Sequence, residues 1–253
     1  VVEQYKRTHP DLIQVFVEDR IQSSYAARNK GISAANGQII AMLDADCTPV
    51  PNWIEKGVEV LANDNVDLVG GNVEFRFSAN PTAAEVYDSI SNLQIKRNIE
   101  ERGVAKTANL FVRRSVFEKI GGFHSDLKSG GDVTWTGKAT SAGFKLVYSN
   151  EAKVYHPTRR LSALLQKQIR VGQGQSAIWK CERVSKIEIL KRIFLGFLPS
   201  RFITIKKHLD KHPNSEISKP LLGVWIVAWL CNLATNSGRI KGLLHSTNSI
   251  DHV

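Results

Sequence analysis

The sequence predicts an α/β protein in which helices flank a mostly parallel sheet, followed by a helical region. Short apolar runs alternate with amphipathic segments up to about residue 158, an order typical of parallel α/β sheets. Residues 39–43 form an apolar run that ends in two aspartates and then two prolines, which end a strand. Beyond residue 158 the pattern becomes basic, apolar and helical. We therefore expect an α/β domain over 1–158 and a helical region over 159–253.

Caps and turn residues divide the first half of this domain. Ser23 or Ser24 is a helix cap, Asn36-Gly37 is a helix stop, and Pro51 favours a first helical position. The elements predicted here are a strand over 12–17, a helix to about residue 35, a strand over 38–43, a helix over 51–61 and a strand over 66–77.

The second half shows the same alternation. Ser115 caps a short helix that Gly121-Gly122 ends, and Gly143 ends a later one. The predicted elements are a helix over 82–101, a strand over 108–112, helices over 116–120 and 132–142, and strands over 145–148 and 152–155. A basic helix is predicted over 161–178, residues 187–205 mix Leu, Ile and Phe with Lys and Arg, and helices are expected across 161–244.

The two aspartates that follow the strand predicted over 38–43 are the most informative residues of the chain. Asp44 and Asp46 lie one residue apart at the carboxyl end of a predicted parallel strand, where open α/β sheets bind their ligands. Carboxylate oxygens suit Mg²⁺ or Mn²⁺, and such a cation in turn suits a diphosphate. The alternative is a surface turn with helix-capping acids, because Asp-x-Asp is common.

Composition excludes some classes of protein. The three cysteines, Cys47, Cys181 and Cys231, form neither a metal-type spacing nor a disulfide framework, which favours a reducing compartment. The formal charge is +10, and residues 157–211 alone hold thirteen Lys and Arg against three Asp and Glu. Such a basic segment fits an anionic membrane surface or a nucleic acid.

The apolar stretch over residues 221–233 bears on that choice. It is shorter than the roughly 20 residues of a spanning helix, but Trp225, Trp229 and the flanking Lys219, Arg239 and Lys241 fit a membrane interface. The alternative is a buried helix hairpin packed on the main domain. We expect a basic helical region that associates with the cytoplasmic face of a membrane, peripherally or through one marginal span.

Four motifs follow one another in a characteristic order. They are Ala27-Arg28-Asn29-Lys30-Gly31; Leu43-Asp44-Ala45-Asp46; Thr107-Ala108-Asn109 with Arg113-Arg114 and Gly121-Gly122-Phe123; and Ser129-Gly130-Gly131-Asp132, which precedes Val154-Tyr155-His156-Pro157. This order and spacing resemble the family 2 glycosyltransferases of GT-A fold, over residues 1–175. Each motif alone is weak, and the set is specific.

The resemblance implies the donor side of a site. Asp44, Asp46 and His156 would hold Mn²⁺ or Mg²⁺ and, through it, the diphosphate of a nucleotide-diphosphate sugar. Arg28, Asn29 and Ala45 would lie beside the nucleotide. Read without the resemblance, Arg28 is a solvated helix cation and His156 a half-buried strand-end residue.

The resemblance also implies the acceptor side. Asp132 would be the general base of an inverting hexosyltransferase, and Thr107, Asn109 and Gly131 would line the sugar or acceptor pocket. The acceptor would be a polysaccharide or a lipid-linked glycan at the membrane surface. Read alone, Asp132 is a helix N-cap and Thr107 and Asn109 make strand-end hydrogen bonds.

The sequence departs from the family pattern in two places. The family's first strand and nucleotide-binding loop would lie before Val1, so we expect a chain that begins inside its catalytic domain. Many members carry Glu-Asp where this chain has Gly131-Asp132, so Asp132 would act without a neighbouring acid.

Two other functions fit parts of the sequence. An inactive, truncated remnant would keep the fold without the donor pocket. A nucleic-acid-binding protein would use the basic segment, but the sequence has neither a zinc-ligand spacing nor an RNA-binding aromatic motif. We therefore expect a glycosyltransferase and no nucleic-acid partner.

Overall fold

The computed structural model describes residues 2–210 and 220–245. Two parts of the predicted helical region lie outside the described residues, namely 211–219, which includes Lys219, and 246–253. The helices are α1 (Val2–Thr8), α2 (Ser24–Ala34), α3 (Trp53–Leu61), α4 (Ala83–Ser91), α5 (Ile95–Arg102), α6 (Arg114–Ile120), α7 (Gly131–Ser141), α8 (Leu161–Cys181), α9 (Lys186–Gly196), α10 (Phe202–Asp210) and α11 (Leu221–His245). The strands are β1 (Ile39–Leu43), β2 (Thr48–Pro49), β3 (Leu68–Arg76), β4 (Asn109–Arg113) and β5 (Leu146–Pro157).

The five strands form one mixed sheet in the order β1-β4-β3-β5-β2. Strands β3 and β5 pair in parallel, whereas β1 with β4, β3 with β4, and β2 with β5 pair antiparallel. The expectation of a mostly parallel sheet was therefore wrong for the described residues. Strands β1, β3 and β5 do share one direction, and β4 and β2 run against them. The apolar pattern of a strand does not report its direction, since side chains alternate in both kinds of sheet.

Several predicted elements differ from the structure. The strands predicted over 145–148 and 152–155 are one strand, β5. Residues 12–17 form no strand, and Leu12 is 84% exposed. The helix predicted over 82–101 is two helices, α4 and α5, separated at residues 92–94. Leu93 has a φ of 47°, and the Gln94 side-chain amide donates to the Ser89 carbonyl and so stabilises the break. Amphipathic periodicity continues across this turn, so the pattern alone did not reveal it.

The sheet separates two apolar layers. In β4, Leu110 and Val112 face one layer and Phe111 faces the other, as the alternation of a strand requires. Helices α2, α6 and α7 cover the first layer and α3 covers the second. This arrangement leaves the end of β1, where the acidic pair lies, at the sheet margin.

A polar knot ties β4 to the irregular pairing of β3 and β5. The pairing shifts register after Gly71, and the fully buried amide of Asn109 donates to the carbonyls of Asn72 and Ala152 and accepts from the indole of Trp53. A Cβ on Gly71 would lie 2.3 Å from the Asn109 amide nitrogen. The bulge therefore requires glycine at position 71.

Helix α4 holds the chain where it leaves β5. Thr82 and Glu85 form a capping box. The Glu85 carboxylate is only 2% exposed and also accepts hydrogen bonds from the backbone of Ser78 and the hydroxyl of Thr158. Ser78 and Thr158, which belong to separate segments of the chain, thus donate to the same buried carboxylate.

The C-terminal helices pack on this domain as a layer. Helices α8 and α11 cross so closely that a Cβ on Gly172 would lie 2.0 Å from the carbonyl oxygen of Thr235, and one on Gly238 would lie 2.0 Å from that of Ile169. The indoles of Trp225 and Trp229 donate to carbonyls of the turn between α9 and α10. These tryptophans therefore lie in the helical layer, partly exposed, and not in the core around the sheet.

We predict that Glu85→Gln removes stability in a pH-dependent way. Backbone and hydroxyl donors, which outweigh burial, lower the pKa of Glu85 from 4.5 to about 2. The ionised form is therefore favoured in the folded state, and its contribution of roughly 3 kcal/mol is present above about pH 4.5 and is lost as the pH falls towards 2. Denaturant unfolding at pH 7 should show Glu85→Gln less stable by about that amount.

The exposed Glu118 provides the control. Glu118→Gln should leave the free energy of unfolding unchanged at both pH 7 and pH 3. If Glu85→Gln and Glu118→Gln had the same free energy of unfolding at pH 7, the hydrogen bonds of Glu85 would not stabilise the fold.

Candidate active site

The turn after β1 presents both aspartates at the sheet margin. The turn is closed by a hydrogen bond from the Cys47 amide to the Asp44 carbonyl. The Asp44 carboxylate does not face Asp46. It accepts a hydrogen bond of 2.9 Å from the guanidinium of Arg28 on α2. The two predicted metal ligands therefore point to different partners, and Ala45 lies exposed between them.

Asp46 meets His156, which is 110 residues away in sequence. The Asp46 Oδ2 lies 3.3 Å from the His156 Nε2, and His156 is almost completely buried at the end of β5. The guanidinium of Arg159 lies against both atoms, with Nη2 3.4 Å from Asp46 Oδ2 and 3.0 Å from His156 Nε2. A cationic group thus already bridges the pair.

The protonation state of His156 decides what this pair can bind. Burial, followed by the charge of Arg159, lowers the pKa of His156 below its usual value, so the ring is neutral at pH 7. Its Nδ1 lies 2.6 Å from the Pro157 carbonyl oxygen. Because a carbonyl only accepts, Nδ1 carries the proton and Nε2 offers its lone pair. Two electron-pair donors, Nε2 and a carboxylate oxygen, therefore face each other, an arrangement that fits a divalent cation.

Cys47 is the third metal-binding side chain near this pair. Ligand atoms of Asp46, Cys47 and His156 all lie within 4.8 Å of one another. Burial, and then the charges of Asp44 and Asp46, raise the pKa of the Cys47 thiol to about 12. A protonated thiol is a poor ligand. The usable donors are therefore one oxygen and one imidazole nitrogen, which suit Mn²⁺ better than a soft metal.

The second acidic centre lies at the start of α7. Asp132 Oδ1 accepts hydrogen bonds from the backbone amide of Val133 and from the hydroxyl of Tyr25, the latter at 3.1 Å. Gly131 has no room for a side chain, since its Cβ would lie 2.9 Å from the Tyr25 ring. Tyr25 thus occupies the space into which a residue larger than glycine would project.

Helix α2 joins the two acidic centres. Ser23 caps this helix by accepting from the Tyr25 amide. Tyr25 and Arg28 lie on one face, three residues apart, with the guanidinium 5.5 Å from the ring centroid. Contacts therefore run from Asp132 through Tyr25 and Arg28 to Asp44, and the predicted base and the predicted donor side border one site.

Two predicted site residues, Asn29 and Asn109, are engaged elsewhere, and a third, Thr107, is buried. The Asn29 amide clamps the loop after α6, since it donates to the Phe123 carbonyl and accepts from the Phe123 backbone amide. Thr107 is buried, and the amide of Asn109 is consumed in the polar knot described above. The ligand contacts of all three residues stay predictions, and the structure gives Asn29 and Asn109 a structural role.

Sequence reasoning missed Tyr25, Arg159 and the buried Asp88 of α4. Asp88 accepts a hydrogen bond from the Arg159 backbone amide at 2.9 Å and lies 3.5 Å from its Nη1. Tyr25 had a detectable signal in its three-residue spacing from Arg28. Asp88 had none, because its partner lies 71 residues further along the chain.

Comparison with known proteins decides the family. The sequence matches the family described as Glycosyl transferase family 2 over residues 1–121. It is also 44% identical over 243 residues to Glycosyltransferase AglE of Haloferax volcanii, covering 93% of this chain and 79% of AglE. The chain belongs to glycosyltransferase family 2. The predicted family is thus confirmed, and this family 2 protein is a glycosyltransferase.

Two further matches are more distant in sequence. The Haloferax volcanii protein named Glucosyl-dolichyl phosphate glucuronosyltransferase is 26% identical over 144 residues, which are 51% of this chain and 46% of that protein. In three dimensions, this family 2 glycosyltransferase matches a mannosyltransferase, PcManGT from Pyrobaculum calidifontis in complex with GDP-Man and Mn²⁺. The TM-score is 0.51 and the identity 16%, over 98% of this chain and 61% of that one. The predicted GT-A fold is confirmed.

Proposed function

We propose that this protein transfers a sugar, with inversion, from a nucleotide-diphosphate sugar to a lipid-linked glycan at a membrane surface. The observation that carries the donor side is the contact between Asp46 and the neutral His156, in which two electron-pair donors face each other at 3.3 Å. The PcManGT complex with GDP-Man and Mn²⁺ supports the same assignment by its fold.

Asp46 and His156 would hold Mn²⁺ or Mg²⁺ in this scheme. The bound cation supplies charge neutralisation for the leaving nucleoside diphosphate. Arg159, which now bridges both residues, is placed to donate to a diphosphate oxygen. Arg28 orients Asp44 and presents its remaining donors at the same margin, so we assign both to donor binding.

Asp132 would act as the general base. Its Oδ1 is occupied by Tyr25 and the Val133 amide, and among the described residues no group donates to Oδ2. That oxygen is therefore free to accept the proton of an acceptor hydroxyl. Burial, and next the charge of Asp132, raise the pKa of Tyr25, so the phenol stays protonated and keeps donating. Tyr25 is a positioning residue for the base.

The helical region, residues 159–253 in our division of the chain, would bring the site to the membrane. Among the described residues, Leu221–Leu244 is long and apolar enough to cross a membrane by length and composition alone. However, Val224, Ala228 and Cys231 are buried against the domain. Only part of the helix is thus available to lipid, which favours a peripheral position over a span.

Large apolar side chains are exposed on α9, on α10, on the turn between them and on the first part of α11, and we call this set the apolar face. Its members are large side chains left open to solvent: Ile187, Leu190, Phe194, Leu195, Phe197, Leu198, Phe202, Ile203, Leu222, Ile226 and Trp229. Exposed cations lie beside them at Lys186, Lys191, Arg201, Lys206 and Lys207. Burying apolar side chains in the headgroup region and placing cations near anionic lipids both stabilise peripheral binding. We place this apolar face on the anionic cytoplasmic leaflet.

We predict that Asp46→Asn abolishes cation-dependent activity. Loss of a carboxylate ligand removes several kcal/mol of charge stabilisation, so donor hydrolysis or sugar transfer should fall at least about 100-fold. Titration of Mn²⁺ in the presence of a nucleoside diphosphate should show weakened binding in Asp46→Asn and in His156→Ala. The exposed Asp64 gives the control Asp64→Asn. Full activity of the wild-type protein in excess chelator would contradict a metal role.

We predict that Asp132→Asn lowers turnover far more than donor affinity. Removing a positioned base costs about 10²- to 10⁴-fold in rate, whereas the donor contacts lie around Asp46. Tyr25→Phe keeps the ring against Gly131 and deletes one hydrogen bond, so turnover should fall only about 3- to 10-fold. Steady-state kinetics with a varied donor separates the two effects. Near-normal turnover of Asp132→Asn would leave this carboxylate with a structural role only.

We predict that the double variant Leu190→Glu with Phe194→Glu detaches the protein from membranes. Each change replaces an apolar contact of roughly 1.5–3 kcal/mol with a charge that anionic lipids repel. Co-sedimentation with vesicles containing phosphatidylglycerol should fall at least about tenfold. Leu12→Glu alters an exposed leucine outside the apolar face and should bind as the wild type does. Unchanged sedimentation of the double variant would reject this surface.

A further inference from the structure

A small cavity lies between α4, α5 and the start of α10. Its volume is about 300 Å³. Two arginines line it, Arg97 from α5 and Arg201 from the residue just before α10. The hydroxyl residues Ser91, Ser200 and Thr204 line it as well, and none of the described residues in its wall is acidic. The cavity therefore combines positive charge with several hydrogen-bond donors.

The two arginines are not neutralised by neighbouring acids. Arg97 is half-buried and Arg201 is exposed, and among the described residues neither guanidinium has a hydrogen bond or an ion pair. Two acids line a neighbouring cavity instead: Glu74 pairs with Lys153 at 2.7 Å, and Glu101 is exposed on α5. A guanidinium carries five donors whose geometry matches the oxygens of a phosphate. Because both arginines line one small cavity, a single phosphate group fits between them.

Packing fixes both sides of this cavity. On one side, the indole of Trp225 donates to the Ser200 carbonyl at 2.7 Å, so α11 holds the residue next to Arg201. On the other side, Ile95 is buried at the start of α5, two residues before Arg97. The two arginines therefore come from separate elements whose positions are set by the fold.

The cavity adjoins the apolar face defined above. Leu198 and Phe202, two members of that face, lie within three residues of Arg201 and are 48% and 46% exposed. A molecule with a phosphate in the cavity can therefore place an apolar chain on this face, where burial of the chain would add to its binding. The nucleotide has its own proposed site at Asp46, so these surroundings favour a lipid phosphate.

A larger cavity of about 1180 Å³ adjoins the small one, and Arg97 lines both. Tyr148 and Asn150 give it polar groups, and Phe75 lies in its wall. The Phe75 ring centroid is 5.7 Å from that of His156. Binding sites for organic ligands are commonly of this size or smaller. A glycan attached to the bound phosphate therefore has room to extend towards the proposed donor site.

We propose that the acceptor is a glycan joined to its lipid through a phosphate, and that Arg97 and Arg201 bind this phosphate in the small cavity. The lipid chain lies on the apolar face, and the glycan occupies the larger cavity. This inference rests on the proposed function, which supplies the lipid-linked acceptor.

Calorimetric titration of the full chain with farnesyl phosphate tests the phosphate contact, in a phosphate-free buffer and below the concentration at which the probe forms micelles. Farnesol, which lacks the phosphate, should bind at least about tenfold more weakly. Loss of a charged hydrogen bond should weaken farnesyl phosphate binding about 10- to 100-fold in Arg97→Met and in Arg201→Met. Arg102→Met removes an exposed arginine of α5 that lines neither cavity and should bind as the wild type does.

Equal binding of farnesol and farnesyl phosphate would overturn the phosphate cavity, as would wild-type affinity in both methionine variants. Unfolding curves identify any variant that does not fold. Arg201 is exposed, so its variant tests the cavity even if Arg97→Met loses stability.

A phospholipid of the bilayer is the other source of a lipid phosphate. Co-sedimentation of Arg97→Met with vesicles containing phosphatidylglycerol should equal that of the wild type, because the apolar face and its exposed cations are unchanged. A loss as large as the loss of farnesyl phosphate binding would make the cavity a headgroup site and overturn the acceptor assignment.

Nucleotide binding separates this inference from the proposed function. The wild type and both methionine variants should bind the manganese complex of UDP or GDP equally, because neither arginine belongs to the proposed donor site. Weaker nucleotide binding in the variants would assign the arginines to the donor and overturn the acceptor phosphate. A wild type that binds nucleotide but not farnesyl phosphate would overturn the phosphate cavity alone. A wild type that binds farnesyl phosphate but no nucleotide would overturn the proposed function and, with it, the acceptor assignment.

Discussion

Two buried carboxylates on α4 hold the segment on which the site depends. Glu85 binds Thr158 and Asp88 binds the Arg159 backbone, immediately after His156 leaves β5. These contacts fix the path of the chain beyond β5 and so set Arg159 against Asp46, while the pairing of β5 with β3 holds His156. Buried carboxylates are unfavourable unless their oxygens are hydrogen-bonded. In this protein the residues just after β5 supply those hydrogen bonds. The same contacts therefore stabilise α4 and position the residues of the site.

A second constraint links the helix before β1 to the start of α7. Glycine at position 131 admits the Tyr25 ring, and the Tyr25 hydroxyl in turn binds Asp132. A single aromatic side chain therefore fills the space beside Asp132, the proposed base, and donates a hydrogen bond to its carboxylate. Because Arg28 lies on the same face of α2 and binds Asp44, a shift of this helix would alter both sides of the site together.

The basic residues that follow β5 lie in two different environments. Arg159 and Lys167 turn inward to Asp88, whereas the cations of α9 and α10 lie exposed beside the apolar face. A count of charges along the sequence does not distinguish these groups, and it therefore suggests one anionic partner. Their separation in space shows two different surroundings, since the inward cations face a buried carboxylate and the outward ones face solvent. Close glycine contacts join α8 to α11 in the helical layer.

Local chemistry in the sequence determined much of this protein. The apolar run before Asp44, the serine cap of α2, the stop at Gly121-Gly122 and the order of the motifs sufficed for several of the elements, the family and the candidate acids. The direction of β4, the break at Leu93 and the pairing of Asp46 with His156 were decided only in three dimensions. Capping and apolar periodicity act between residues a few positions apart, so they can be recognised in the sequence. Strand direction leaves side-chain alternation unchanged, and contacts such as Tyr25 with Asp132 join residues 107 positions apart, so only the packed chain brings them together.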